Sequence, residues 1–167
     1  MLKEEIAKAL EIADVRERYV HVYDLICDCL DKKFKENNYC DFQDDKCIVN
    51  RSGLGKNKNM GCCYSFRLDF FANMRDKKIC KYLGDKGCMT KCIPCKLYVC
   101  KYLERKGIGF SVYSFKGIEK VWSAKQLEVL KSNCFKSKEE IIDKLLEVRE
   151  GRMPYLLFSL LNKAKIR

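Results

Sequence analysis

Nine cysteines stand between positions 40 and 100: Cys40, Cys47, Cys62, Cys63, Cys80, Cys88, Cys92, Cys95 and Cys100. Thiolates are soft ligands that select zinc, iron–sulfur or copper(I). A structural zinc takes four of them and so does a [4Fe-4S] cluster. Nine therefore suffice for two sites of four, or for one site with spares. The densest stretch is "GCMTKCIPCKLYVC" (87–100), whose first three cysteines read C-x3-C-x2-C. In a C-x2-C turn two sulfurs converge on one ion while backbone amides point at them, and Pro94 stiffens that turn. His21 is the sole histidine. It lies in a helical pattern, where a surface or packing role is expected, and any metal site must be built mainly from thiolate.

The rest of the composition frames this chemistry. At 167 residues the chain is long enough for one domain that needs no disulfide staples. "MLKEEIAKALEIADVRERY" is charged throughout, with no apolar leader, and no apolar run approaches a membrane span. The expected compartment is the cytoplasm, where twelve cysteines argue for thiolate ligands rather than disulfides. The net charge of +11 is uneven: residues 1–49 carry −4, residues 50–120 carry +11 and residues 121–167 carry +4. The basic segment holds seven of the twelve cysteines. Its lysines have two readings, compensation of a buried anionic site or a surface for an acidic partner such as nucleic acid. Tyr64, Tyr82, Tyr98 and Tyr102 interleave with them, as base-stacking residues would.

The elements that must position the cysteines read as mostly helical. Residues 2–36 predict helix, with Val15, Tyr19, Val22, Ile26, Leu30 and Phe34 as one apolar stripe, Cys29 beside it and Cys27 off it. "NRSGLGKNKNMG" (50–61) reads as a basic loop without the GK[ST] of a phosphate cradle, and "YSFRLDFFANM" (64–74) as helix. "CKLYVCKYLERKG" (95–107) predicts a short helix ended by its lysines and Gly107. "IGFSVYSF" and "IEKVW" (108–122) predict a small hairpin turned at Gly117. Ser123 caps a helix of about ten residues, Ser137 with Glu140 forms a capping-box pattern opening another, and residues 152–167 predict a last apolar helix.

Two resemblances follow from these residues. The C-x3-C-x2-C spacing of Cys88, Cys92 and Cys95 resembles that of radical S-adenosylmethionine enzymes, which implies a (β/α) barrel. Pro94 stands where those enzymes carry an aromatic residue, and the 67 residues after Cys100 hold helical patterns rather than repeated βα units, so this reading is disfavoured. The order "GCC" (61–63), "CKYLGDKGC" (80–88) and "IPCKLYVC" (93–100) resembles a cysteine-cluster domain family described as zinc- or iron-chelating. Cys62 and Cys63 match its tandem pair. Cys80 with Tyr82, Leu83 and Cys88 matches its second element, with Lys81 in place of the usual proline. Pro94, Cys95, Lys96 and Tyr98 match its third. The resemblance spans about sixty residues and implies metal chelation without an established reaction.

The resulting expectation is a mainly α fold with a loop-rich, metal-stabilised cysteine core and one small β-hairpin. Residues 1–38 form a helical segment, 39–106 the metal-binding core, and 107–167 the hairpin and C-terminal helices that pack on it, as one domain overall. The expected function is a cytoplasmic metal-binding protein with an iron–sulfur ([4Fe-4S]) or zinc site, structural, redox or metal-handling in role. Its ligands are drawn from Cys62, Cys63, Cys80, Cys88 and Cys95, then Cys92, Cys100, Cys40 and Cys47. The alternatives are a zinc-stabilised nucleic-acid-binding module using residues 50–120, and an iron–sulfur or thiol enzyme. A thiol nucleophile without a histidine partner would need a lysine or a helix terminus to activate it, and no catalytic constellation singles one out. The expected partners are a protein docked by the helical parts and a nucleic acid on the basic segment, with no membrane.

Overall fold

A computed structural model describes residues 2–43, 47–51, 82–84 and 87–149. The described chain is mainly helical. Its helices are α1 (Leu2–Ala9), α2 (Val15–Asn37), α3 (Ile48–Arg51), α4 (Ile93–Leu97), α5 (Lys101–Arg105), α6 (Ala124–Ser132) and α7 (Lys138–Arg149). The helices expected at 64–74 and 152–167, the basic loop at 52–61, and Cys62, Cys63 and Cys80 lie outside the described residues.

The N-terminal pattern folds as two helices rather than one. The chain leaves α1 through tight turns, with Leu10 N–H on Ala7 O and Ile12 N–H on Ala9 O. Asp14 then opens α2, its carboxylate accepting from Glu17 N–H at 2.7 Å, as a capping residue should. Arg18 clamps the break by donating twice to Ile12 O, at 2.6 and 2.9 Å. Along α2 the buried face is Tyr19, Val22, Tyr23, Ile26, Cys27 and Leu30. It is wider than the expected stripe, and it draws in Cys27, which that stripe left out. His21 is exposed.

The chain divides into two compact units. The first comprises the described parts of 1–31, 91–97 and 111–167. Within it α6 packs against both α7 and α4, around buried Ile93, Trp122, Leu127, Leu130, Ile141 and Leu145. Gln126 is the polar centre of this core. Its Nε2 donates to Tyr19 Oη at 2.8 Å and to Leu145 O at 2.7 Å, while its Oε1 accepts from Ser123 N–H at 2.9 Å. Both expected caps form: the Ser123–Gln126 box opens α6, and Ser137 exchanges hydrogen bonds with Glu140 at the start of α7.

The second unit comprises the described parts of 32–90 and 98–110. Phe34, Tyr39 and Phe110 form an aromatic trio with ring centroids 4.9 to 5.7 Å apart. A four-residue antiparallel ladder pairs β1 (Leu83–Gly84) with β2 (Gly87–Cys88), Leu83 facing Cys88 in register.

Two expectations are corrected by these elements. The hairpin at 108–122 does not form. Val112–Ser114 and Ile118–Lys120 wind into 3-10 turns, the first capped by Ser111, which accepts from Tyr113 N–H. Gly117 sits between them at φ 95°, a left-handed conformation that suits glycine. The turns let Val112, Phe115, Ile118 and Trp122 all bury, which a two-faced ribbon with period two would not. The helix expected over 95–107 is also interrupted. Cys100 adopts an extended conformation and becomes the N-cap of α5, its carbonyl accepting from Leu103 and Glu104. The C-terminal signal holds: Gly107 sits at φ 73° and Ile108 N–H closes on Leu103 O at 3.0 Å.

Candidate functional site

The C-x2-C turn of Cys92 and Cys95 opens α4 inside the first unit. Lys96 N–H bonds Cys92 O at 3.0 Å, so Cys92 stands at the head of the helix and Pro94 falls in its first turn, where no donor is missed. Tyr23 of α2 fixes this turn by accepting from the Ile93 N–H at 3.0 Å in a buried setting.

The turn faces the connection between α6 and α7. There Asn133 ends α6, its side chain donating back to Val129 O at 2.9 Å, and Cys134 and Phe135 reverse the chain. Phe135 is held at φ 63°. A bulky residue in the left-handed region is strained by roughly 1–3 kcal/mol. Here that conformation accompanies the donation of the Phe135 N–H to Cys95 Sγ at 3.0 Å. Two more backbone amides, those of Cys95 and Lys136, donate to Cys92 Sγ. Cys92 Sγ also reaches Asn133 O at 3.5 Å. Two sulfurs thus receive three N–H groups, and both lie against the loop that carries Cys134.

The three thiols form a hydrogen-bonded chain, Cys92 to Cys95 and Cys95 to Cys134. The hydrogen bond to Cys134, with burial adding to it, pushes the Cys95 thiol up to about 12, against the opposing contacts of Cys92 and the Phe135 amide. The hydrogen bond to Cys95, together with burial, raises Cys92 further. Without a metal these two sulfurs are therefore protonated at neutral pH, which makes them poor nucleophiles. Among the described residues, no group of three or more cysteine, histidine, aspartate or glutamate side chains stands close enough together to hold a metal ion.

Cations lie beside this turn. Lys96, only 6% exposed, donates to the Asp31 carboxylate. Lys91 reaches the same carboxylate at 2.9 Å and Asp28 at 3.2 Å. Desolvation opposes ionisation of Asp31, but the hydrogen bonds from Lys96 and Lys91 outweigh it and hold the carboxyl below its usual range. Cys27, pushed up to about 12 mainly by burial, donates to Lys91 O at 3.3 Å and packs as an apolar residue would.

The other expected ligands are placed as follows. Cys47 and Cys100 are buried with Val49 and Leu103 in an apolar cluster of the second unit, and Cys40 packs against it beside Tyr39, Phe42 and Ile48. Cys88 belongs to that unit too, at the end of the ladder, and is exposed. No disulfide joins the nine cysteines of the described residues. Cys134 was absent from the expected ligand set because it stands 39 positions beyond Cys95 without a neighbouring cysteine. The signal that could have found it is its position in "SNCFKS", a short loop between two capped helices. No protein-family model, no curated protein and no solved structure matches this chain.

Proposed function

We propose that this chain is a metal-binding protein of a thiol-reducing compartment, with Cys92 and Cys95 supplying two of the ligands. The observation that carries the reading is the pair of sulfurs at the head of α4 receiving backbone N–H groups from a strained turn that itself bears a third cysteine. Amides aimed at sulfur stabilise a thiolate far more than a thiol, so such an arrangement is suited to the deprotonated, metal-bound form. Binding replaces the protons of the thiol chain, which couples metal affinity to pH and to folding. The role is structural: an ion held here ties the 91–97 segment to the connection between α6 and α7, two parts of the first unit far apart in sequence.

Lys91 and Lys96 flank the two thiols in sequence and are ion-paired with Asp28 and Asp31. A catalytic role for the thiols is disfavoured, because the thiol–thiol contacts and burial outweigh the amides that would favour the thiolates of Cys92 and Cys95. Anaerobic purification followed by iron, sulfide and zinc analysis tests the proposal. Bound metal whose removal by a chelator lowers the unfolding midpoint supports it; a protein that carries and takes up no metal rejects it.

A further inference from the structure

We infer that Cys95 and Cys134 form a reversible disulfide, a thiol switch that ties the head of α4 to the connection between α6 and α7. This goes beyond the metal-binding reading and does not rest on it, since two thiols suffice and no ion takes part. The geometry comes from one backbone hydrogen bond, the donation of Phe135 N–H to Cys95 Sγ at 3.0 Å. In a planar trans peptide the N–H lies on the same side as the preceding Cα. An acceptor in line with that N–H therefore stands about 3.7 Å from Cys134 Cα. A cysteine sulfur lies ~2.8 Å from its own Cα, so the two Cα atoms are at most about 6.5 Å apart, inside the roughly 4.4–6.8 Å that disulfides span. What the bond then requires is one choice among the staggered rotamers of Cys134.

Both ends of the bond are held in place. Tyr23 fixes the turn before Cys95 through the Ile93 N–H. Asn133 closes α6 on one side of Cys134, and the Ser137–Glu140 exchange opens α7 on the other. Between them Phe135 sits at φ 63°, and strained backbone of this kind concentrates at switch regions. Cys92 is the poorer partner. It is 1% exposed, whereas Cys95 and Cys134 are half-buried and open to a reagent. A bond from Cys92 to Cys95 would also have to close within one helical turn. There Cβ atoms three residues apart stand about 5–6 Å from each other, wider than the ~3.5–4.5 Å of a disulfide.

The oxidant is a low-molecular-weight disulfide, RS–SR. The thiolate of one cysteine attacks one of its sulfurs and expels RS⁻, leaving a mixed disulfide. The other thiolate attacks the protein sulfur of that bond and expels the second RS⁻. The two cysteine protons end on the two leaving thiolates. One S–S bond is broken and one is formed, and the dithiol passes two electrons to the reagent. In a reducing compartment such a bond is transient and follows the thiol poise. While it lasts it cross-links positions 39 apart in sequence, which constrains the unfolded chain and stabilises the first unit.

The test uses the full chain with a chelator present, equilibrated anaerobically in glutathione disulfide and glutathione. The remaining thiols are alkylated, and the chain is cut after lysine and read by mass without reduction. Cys92 and Cys95 then share the peptide CIPCK, and Cys134 lies in SNCFK. The expected product is CIPCK joined to SNCFK, reversed by dithiothreitol, kept in Cys92→Ser and lost in Cys95→Ser and Cys134→Ser. In the wild type its yield relative to the dithiol should be about tenfold higher without urea than in denaturing urea, because folding raises the effective concentration of the two thiols. That comparison needs no variant, so it holds even where a substitution prevents folding. CIPCK closed on itself with SNCFK alkylated overturns the inference. So does a CIPCK–SNCFK link that survives in C95S, or a yield in the folded chain no higher than in urea. The chelator keeps metal binding out of the measurement, so none of these outcomes decides the proposed function.

Discussion

The two units each gather three cysteines, and they use them differently. In the first, Cys92, Cys95 and Cys134 meet backbone amides and one another at a turn held in a strained conformation. In the second, Cys47 and Cys100 are buried among Val49 and Leu103, with Cys40 against the same cluster. Cysteine is both a ligand and a small apolar side chain. The surroundings separate the two uses: directed N–H groups mark the first, and a ring of aliphatic and aromatic carbon marks the second. Spacing in the chain does not, since Cys95 and Cys100 are only five residues apart.

The contrast is broken most directly by parallel substitution. Cys92→Ser is expected to abolish metal retention, whereas Cys100→Ala leaves metal content unchanged and lowers unfolding free energy by about 1 kcal/mol for the buried sulfur removed. Metal analysis beside urea denaturation reads both, and a C100A protein without metal would erase the distinction. Asp31→Asn comes next in size. It deprives the buried Lys96 ammonium of its counter-charge, a loss discounted for the partial exposure of Asp31 to about 2 kcal/mol.

The same residue sets a pH dependence. The Asp31 carboxyl lies below its usual range in the folded chain, so its contribution is present above the unfolded-state value near pH ~3.9 and fades as pH falls through the folded one. Stability measured from pH 7 down to acid should therefore fall less steeply in D31N than in the wild type. An equal slope in the two proteins would exclude this contribution.

Tyr23→Phe leaves the buried Ile93 amide without its acceptor, at a cost of about 1–2 kcal/mol. It should loosen the C-x2-C turn enough to weaken metal affinity without changing stoichiometry. At the small end, Phe135→Val should be about 1 kcal/mol less stable than Phe135→Gly, because a β-branched residue tolerates φ 63° least. Equal unfolding midpoints for the two would show that the left-handed turn carries no strain.

What the sequence disclosed and what it withheld divide along range. The caps at Ser123 and Ser137 depend on residues three apart, and both formed where the local pattern placed them. The glycine stop at Gly107 did so too. The hairpin at 108–122 failed because four apolar side chains found one core, and tertiary burial overrode a β-type composition. Cys100 interrupts a helix that propensity alone would have continued: it is extended, caps α5 and is buried in the cluster of the second unit. Mainly helical character was therefore legible, whereas the partnership of Cys95 with Cys134 was not. No local rule links a C-x2-C turn to one cysteine lying two helices away.

Trp122 offers a use of a different kind. It is the only tryptophan in the chain, it is 1% exposed, and its ring meets Tyr19 edge-on at 5.9 Å. Its indole N–H has no hydrogen-bond partner. An indole shielded from water and bonded to no acceptor emits at short wavelength, and it shifts to the red once the surrounding helices part. The molecule thus carries a single intrinsic fluorophore, placed in its first unit, whose emission reports the exposure of that core.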